Sequence, residues 1–165
     1  MEKNVEFLSF ETVSILLATF PNSDGEFKRE VVSTIDNLLN SLKNQPKANE
    51  IIYDISNIYE NIVKKLISIK EEEEYLFFNF KRVVNIQGRV FSKILESKKQ
   101  ESEILTSLNH AKNILEKDRR VLLTYLLEEP KRMKDILKMM DINKMLSDVN
   151  KILEDIVKNK KEVIL

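Results

Sequence analysis

Apolar residues recur every three or four positions through most of this chain, and that spacing is typical of one buried face of an α-helix. The clearest run starts at residue 48 and alternates steps of three and four residues. Its members are Ala48, Ile51, Ile55, Ile58, Ile62, Leu66 and Ile69. A helix with such a seam is expected to pack along another helix.

The same pattern predicts further helices, so the expected fold is an all-α bundle of about five long antiparallel helices. The breaks between them fall where glycine, proline and asparagine collect, at 21–25 and 44–46, and at Pro130. The first predicted helix spans about 10–20, and the second starts at the Ser23–Glu26 capping box and ends before Asn44. The other three span about 48–69, 70–96 and 100–127.

Two helix starts carry capping-box spacing, in which a serine is followed three residues later by a glutamate. They are Ser23 with Glu26, and Ser68 with Glu71. Because the helix dipole attracts negative charge to its N-terminus, the run 71–74 is predicted to form a solvated first turn of the fourth helix. Gly88 lies inside that helix, where glycine costs about 1 kcal/mol relative to alanine. A close crossing with another helix is therefore expected at Gly88.

The end of the chain leaves two structures open. We expect a helical bundle domain at 1–129 and a small C-terminal appendage at 130–165. The apolar positions from Met133 to Val157 fit helical spacing, and two short helices there would make a winged-helix-like unit. The last residues, 161–165, also fit a terminal strand in a small β element, because short apolar runs do not separate strand from helix.

Composition narrows the chemistry. The chain contains 2 Gly, 3 Pro and no Cys in 165 residues. This argues against glycine-rich phosphate loops, disulfides and thiolate sites. The polar, acidic start and the short apolar run at 14–18 predict neither a signal peptide nor a membrane span, so a cytoplasmic location with no membrane partner is expected.

The net charge is zero, but the two halves of the chain differ in sign. Residues 1–80 hold 8 Lys and Arg against 14 Asp and Glu, whereas residues 81–165 hold 19 against 13. This asymmetry favours self-association, an acidic partner for the C-terminal half, or weak nucleic-acid contact.

No catalytic or metal-binding pattern occurs in the sequence. His110 is the only histidine, and Ile114 takes the position where a second ligand would lie on a helix. The glutamates at 71–74 do not converge on one ion, because consecutive helical residues point about 100° apart. A nucleophile elbow and a phosphate-binding loop are both missing. We therefore predict that the protein is not an enzyme and has no catalytic residue, metal, cofactor or small-molecule substrate.

An aromatic group is the candidate for a protein interface. It covers more than half the circumference of the fourth helix, so part of it is expected to face a partner protein or a second layer of the fold. The aromatic group consists of Tyr75, Phe77, Phe78 and Phe80. The predicted interface also includes Gly88, Arg89 and Lys93 on the same helix.

A basic group is the candidate for nucleic-acid contact, which would follow if the last segment folds as a winged helix. Its members are Arg119, Arg120, Lys131, Arg132, Lys134 and Lys138. Acidic residues on the presumed recognition helix, among them Asp148 and Glu154, would repel phosphates, so an ordinary charged helical surface is the competing interpretation.

The order of these features resembles a subunit of the archaeal GINS complex, which belongs to the replicative helicase assembly. In the first part of the chain, Leu17-Ala18-Thr19-Phe20-Pro21 leads to Phe27-Lys28-Arg29-Glu30, like the opening helix and turn of that family. The segment Arg89-Val90-Phe91-Ser92-Lys93-Ile94 approximates the family's Arg-x-x-Lys-Ile signature with one extra residue, and Leu105-Thr106 opens the next helix. The tail, Glu154 to Leu165, resembles the end of the family's small β-rich domain but lacks its proline.

The resemblance implies a non-catalytic scaffold that packs its long helices against a sister subunit in a homo- or hetero-oligomer. It would support a replicative helicase and a nuclease-like partner, with the tail as a movable contact module. Two other functions stay open: a DNA-binding transcriptional regulator with a C-terminal winged helix, and a small helical subunit of a nucleoprotein effector complex.

Overall fold

Six α-helices and no strand make up the part of the chain that this computed structural model describes, which is residues 8–19, 25–43, 50–96 and 101–159. The prediction of an all-α fold is confirmed over these ranges. The helices are α1 (Leu8–Thr19), α2 (Glu26–Lys43), α3 (Glu50–Ile67), α4 (Glu74–Leu95), α5 (Glu101–Glu128) and α6 (Met133–Asn159), with a 3₁₀ turn at Pro130–Arg132 between α5 and α6.

One hydrophobic core joins all six helices. Helix α4 packs against α2, α5 and α6; α6 also packs along α3 and α5, and α1 contacts α2 and α3. The largest fully buried side chains include Tyr59, Phe77, Phe80, Leu39 and Leu66. Burying side chains of this size contributes about 1.5–3 kcal/mol each, so this core is the main source of stability. Within the described ranges, no helix has both the length and the apolar content needed to cross a membrane.

The segment after Pro130 corrects one prediction. A single helix, α6, takes up Met133–Asn159, so the winged-helix-like pair of short helices is wrong. The physical reason is that the apolar stripe continues unbroken in the helical period, with no glycine or proline after Pro130 to interrupt it. Helix α6 contributes Ile136, Leu146 and Leu153 to the common core. The predicted division into a bundle domain at 1–129 and an appendage at 130–165 stays a prediction, and the predicted strand at 161–165 lies outside the described residues.

The start of α4 corrects a second prediction. The helix begins at Glu74 instead of near residue 70, and the Ser68 hydroxyl donates to the Lys65 carbonyl oxygen at 2.6 Å instead of forming a capping box with Glu71. The other predicted capping serine, Ser23, lies outside the described residues. Glu71, Glu72 and Glu73 therefore belong to the loop between α3 and α4 and are not a solvated first turn.

Contacts with distant helices hold this α3–α4 loop, residues 68–73. The Asp135 carboxylate accepts hydrogen bonds from the backbone N–H groups of Lys70 and Glu71 at 3.1 and 3.0 Å. The Glu72 carboxylate accepts from the backbone N–H of Lys28 at 2.8 Å, which places a negative charge at the N-terminus of α2. Gly25 lies beside it with φ of +143°, a backbone conformation that favours glycine, and a Cβ there would be 2.4 Å from the Glu72 Oε2 and would displace that carboxylate.

Buried amides connect α3, α4, α5 and α6 through the core. The Tyr59 hydroxyl donates to Gln87 Oε1 at 2.7 Å, and the Gln87 amide donates to Asn150 Oδ1 at 2.8 Å and to the Leu146 carbonyl oxygen at 3.0 Å. The Asn150 amide in turn donates to the Leu108 carbonyl oxygen of α5 at 3.0 Å. Within this network, the Tyr59 hydroxyl and the side-chain amides of Gln87 and Asn150 all have hydrogen-bond partners. A buried polar network is tolerated under that condition.

Candidate protein-interaction surface

The aromatic residues predicted as an interface divide between the core and the surface of α4. Phe77 and Phe80 are fully buried and stack with ring centroids 6.2 Å apart. Tyr75 and Phe78 are 46% and 52% exposed. The helical period explains this division, because each pair is spaced by three residues and so shares one face. Phe77 and Phe80 hold the helix in place, and the exposed pair is left for contact.

Phe78 and Tyr75 line a groove between α2 and α4 with a volume of about 560 Å³. Phe27 of α2 forms its opposite wall, and the rim carries Glu30, Glu74 and Lys81. We call the surface formed by these six residues the aromatic groove. The Lys81 ammonium and the Glu30 carboxylate, 2.8 Å apart, bridge the two helices at the rim. The result is an apolar, aromatic floor with a mostly acidic margin, fixed on two helices.

One face of the Phe78 ring is already in contact with a cation. The guanidinium carbon of Arg82 lies 5.9 Å from the ring centroid, within the range of a cation–π interaction. Such a contact limits the orientations of the exposed ring, so less entropy is lost when a partner covers it.

The remaining predicted interface residues lie further along α4. Gly88 packs on α2, where an added Cβ would lie 3.3 Å from Leu38 Cδ1, so the close helix crossing expected at this glycine is present. A shallow cavity of about 280 Å³ opens beside both residues. Arg89 is exposed, whereas the Lys93 ammonium forms an ion pair with Glu103 of α5.

The predicted nucleic-acid residues divide into exposed cations and cations that are used within the fold. Arg119, Arg120, Lys131 and Lys134 are exposed, but Lys138 donates to the Ser68 carbonyl oxygen at 2.8 Å. Of the six predicted residues, four are therefore exposed cations, and the other two, Arg132 and Lys138, form contacts within the fold.

Arg132 is enclosed by carboxylates. Its Nη2 lies 2.7 Å from Glu73 and its Nη1 lies 3.2 Å from Glu129, both as hydrogen-bonded ion pairs. Its Nε lies 3.0 Å from the Glu71 carboxylate, without the alignment of a hydrogen bond. The guanidinium thereby ties the α3–α4 loop to the turn before α6, and three carboxylates occupy the positions that a phosphate would need.

Asp118 is a buried carboxyl that sequence patterns did not single out. It is fully buried between α5 and α4, where Oδ1 accepts a hydrogen bond from the Asn79 amide at 2.9 Å and Oδ2 has no hydrogen-bond partner in the described structure. Burial raises the pKa of this carboxyl to about 6, although the Asn79 hydrogen bond and the charges of Lys117 and Arg82 lower it. His110 is exposed on the same helix, with Nε2 3.5 Å from Arg82 Nη2.

A set of exposed aliphatic residues was also missed by the sequence analysis. Leu123, Leu127, Met133 and Leu137 are each at least 40% exposed, on either side of the Pro130 turn. Helical spacing alone counted Met133 among the apolar positions of the last segment, so the exposure of these residues becomes visible only once the packing partners of α5 and α6 are known.

Among the described residues, no group of three or more His, Asp or Glu side chains is arranged to hold a metal ion. Comparison with protein-family models, with curated proteins and with solved structures finds no match. The surface features that remain are exposed apolar side chains on a helical body.

Proposed function

We propose that this chain is a non-catalytic helical interaction subunit that binds a partner protein through the aromatic groove. The observation that carries the proposal is the pair Tyr75 and Phe78, about half exposed at the edge of a cavity of about 560 Å³. Aromatic side chains are enriched among the residues that dominate binding energy at interfaces. Because the groove is formed by two packed helices, it needs little ordering before a partner binds.

The proposed partner class follows from the resemblance to GINS subunits. In that assignment the chain packs against a sister subunit and supports a replicative helicase. Arg89, the first residue of the approximate signature, is exposed on α4 and is available to a sister subunit. Lys93 instead joins α4 to α5 through Glu103, so its proposed role is to hold the helices in place.

A second candidate is a small helical subunit of a nucleoprotein effector complex, favoured by the exposed cations Arg119, Arg120, Lys131 and Lys134. A transcriptional regulator with a winged helix has less support, because residues 133–159 form one helix that packs along three others.

Native affinity purification with mass spectrometry tests the proposal. The tagged chain is compared with Phe78→Glu, in the aromatic groove, and with Asn85→Glu, an exposed control two turns further along the same helix. We expect a stoichiometric protein partner with the unaltered chain and with Asn85→Glu, and its loss with Phe78→Glu. Helicase and sister subunits would support the GINS-like assignment, and a tightly held RNA would favour the effector-complex subunit. The proposal is wrong if no protein co-purifies at mild salt or if Phe78→Glu retains every partner.

A further inference from the structure

Four exposed aliphatic side chains form a second apolar surface at the end of the α5–α6 hairpin. Leu123 and Leu127, one turn apart on α5, are 40% and 85% exposed. Met133 and Leu137, one turn apart on α6, are 46% and 44% exposed. We call these four residues the hairpin patch. The helices are antiparallel neighbours joined by the short turn at Pro130, so both pairs lie at the same end of the hairpin.

Helical geometry places the hairpin patch on the outer side of the two helices. At about 100° per residue, Leu123 and Leu127 lie about 140° and 180° round α5 from Asp118, whose side chain contacts α4. On α6, Met133 lies about 80° from Asn143, whose side chain contacts α5. The aliphatic pairs therefore face away from α4 and border the seam between α5 and α6.

The charges around the hairpin patch are mostly positive. Arg119 lies one turn before Leu123, and Arg120, Lys131 and Lys134 are also exposed near this end of the hairpin. Of the neighbouring acids, Glu129 binds Arg132 and Asp135 binds the backbone of the α3–α4 loop, whereas Glu128 is exposed beside Leu127. A ligand of this surface therefore meets aliphatic side chains bordered by four exposed cations, with Glu128 as an exposed carboxylate beside Leu127.

This chemistry selects one class of partner. Two pairs of aliphatic residues spaced by four, on adjacent antiparallel helices, match the apolar stripe of a helix laid along the seam. The cations favour acidic residues on either side of that stripe. Leucine and methionine offer no planar ring on which a base can stack, so a nucleic acid would leave the apolar part of the surface unused. A second copy of this patch would bring like charges together.

We propose that the hairpin patch binds an acidic amphipathic helix of a partner protein, with leucine-like side chains between Leu123, Leu127, Met133 and Leu137 and with Asp or Glu beside the cations. The inference rests on the proposed function in giving the chain an interaction role, but it concerns a different surface and specifies the chemistry of the partner.

The probe is a fluorescent synthetic helix with leucines at i, i+3, i+4 and i+7 bordered by glutamates. A second probe has the same leucines bordered by lysines. Anisotropy titrations are made with the whole chain and with Leu127→Ser, Arg119→Glu/Arg120→Glu, Phe78→Ser and Lys151→Glu. Lys151 is an exposed cation towards the far end of α6, and Phe78 belongs to the aromatic groove, so these two variants are matched controls.

We expect the acidic helix to bind, and Leu127→Ser and Arg119→Glu/Arg120→Glu each to raise its Kd at least about tenfold. Phe78→Ser and Lys151→Glu should leave the Kd within about twofold. Equal or tighter binding of the lysine probe would overturn the proposal, as would failure of both probes to bind.

Duplex DNA binding that is lost in the arginine variant but kept in Leu127→Ser would identify a nucleic-acid surface instead. A dimer, detected by light scattering, that Leu127→Ser dissociates would identify self-association. Because Phe78 is retained in the patch variants, failure here leaves the aromatic groove and its own test unaffected.

Discussion

Asn143 of α6 donates its side-chain amide to the backbone carbonyl oxygen of Leu115 in α5 at 2.9 Å, inside the core. Asn150, seven residues further, makes the equivalent contact with Leu108, seven residues earlier, at 3.0 Å. Two contacts with the same seven-residue spacing on antiparallel helices favour one register, because a slide of α6 along α5 by fewer than seven residues leaves both amides unpaired in an apolar environment and a slide by seven leaves one unpaired. Asparagine therefore specifies the alignment of the hairpin that carries the hairpin patch.

Asn143→Ala should lower the free energy of unfolding by about 1–3 kcal/mol, since it removes a buried hydrogen bond and leaves a small cavity. Urea unfolding followed by circular dichroism measures the change. Asn113→Ala, at an exposed position of α5, is the control and should stay within about 0.5 kcal/mol of the unaltered chain. Equal midpoints for the two variants would mean that the Leu115 contact adds nothing to stability.

Gln87 and Asn150 should behave as a coupled pair. Their amides are joined at 2.8 Å, and Gln87 also accepts from the Tyr59 hydroxyl at 2.7 Å. In a double-mutant cycle with alanine at both positions, the effects should depart from additivity by about 0.5–3 kcal/mol. The same cycle for Gln87 and Asn143, which share no hydrogen bond, is the comparison. Additivity in both cycles would show that the buried network acts as independent contacts.

The helices could be predicted from sequence because the apolar period is a local property. The five predicted helices correspond to α1–α5, with shifts of a few residues at most ends. What could not be predicted depends on residues far apart in the chain. The spacing of Ser68 and Glu71 fits a capping box, but Asp135 binds that backbone from 64 residues away. This competing partner is invisible in a short sequence window.

The candidate surfaces show the same limit. Periodicity indicated that some aromatic residues of α4 had to face outward, but only the positions of α2 and α5 decide that these are Tyr75 and Phe78 and not Phe77 and Phe80. Arg132 looked like one of several basic residues. Its three carboxylate partners come from two loops that the fold brings together.

Arg132→Gln should lower the free energy of unfolding by about 1–3 kcal/mol, because it leaves three carboxylates close together around a half-buried position. Arg132→Lys should recover only part of this loss, since an ammonium cannot match the fork of a guanidinium. Unfolding midpoints at low and high salt measure both effects, and the loss should shrink at high salt. Lys144→Gln removes an exposed pair with Asp148 and serves as the control, with a change below about 0.5 kcal/mol. A loss no larger than that of the control would remove Arg132 as the link between the loop and α6.

Gly88→Ala should raise the free energy of unfolding by up to about 1 kcal/mol. Alanine is the better helix former, and Leu38, the residue that its Cβ would approach to 3.3 Å, borders an open cavity into which it can shift. Gly88→Leu should instead destabilise, because its side chain is too large for the crossing of α4 and α2. Thermal unfolding of both variants checks the order, and a lower melting temperature for Gly88→Ala would show that Leu38 cannot move.

Asp118 should make the stability of the protein fall as the pH rises from about 4 to about 6. Burial raises the pKa of its carboxyl in the folded protein from 3.8 to about 6, so the unfolded chain ionises first and gives up its proton at lower pH. Below about pH 4 the carboxyl is protonated in both states and does not lower the stability. Above about pH 6 the loss of stability is complete, at about 3 kcal/mol for a shift of this size.

Asp118→Asn keeps an acceptor for Asn79 and removes the titration, so it should be more stable than the unaltered chain at pH 7 and similar to it at pH 4. The urea unfolding midpoints of Asp118→Asn and of the unaltered chain are compared at each pH across this range. The difference in stability between the two proteins is free of the contribution of the other carboxyl groups, because both proteins share them. If that difference does not change between pH 4 and pH 7, the buried oxygen of Asp118 is solvated in the folded protein.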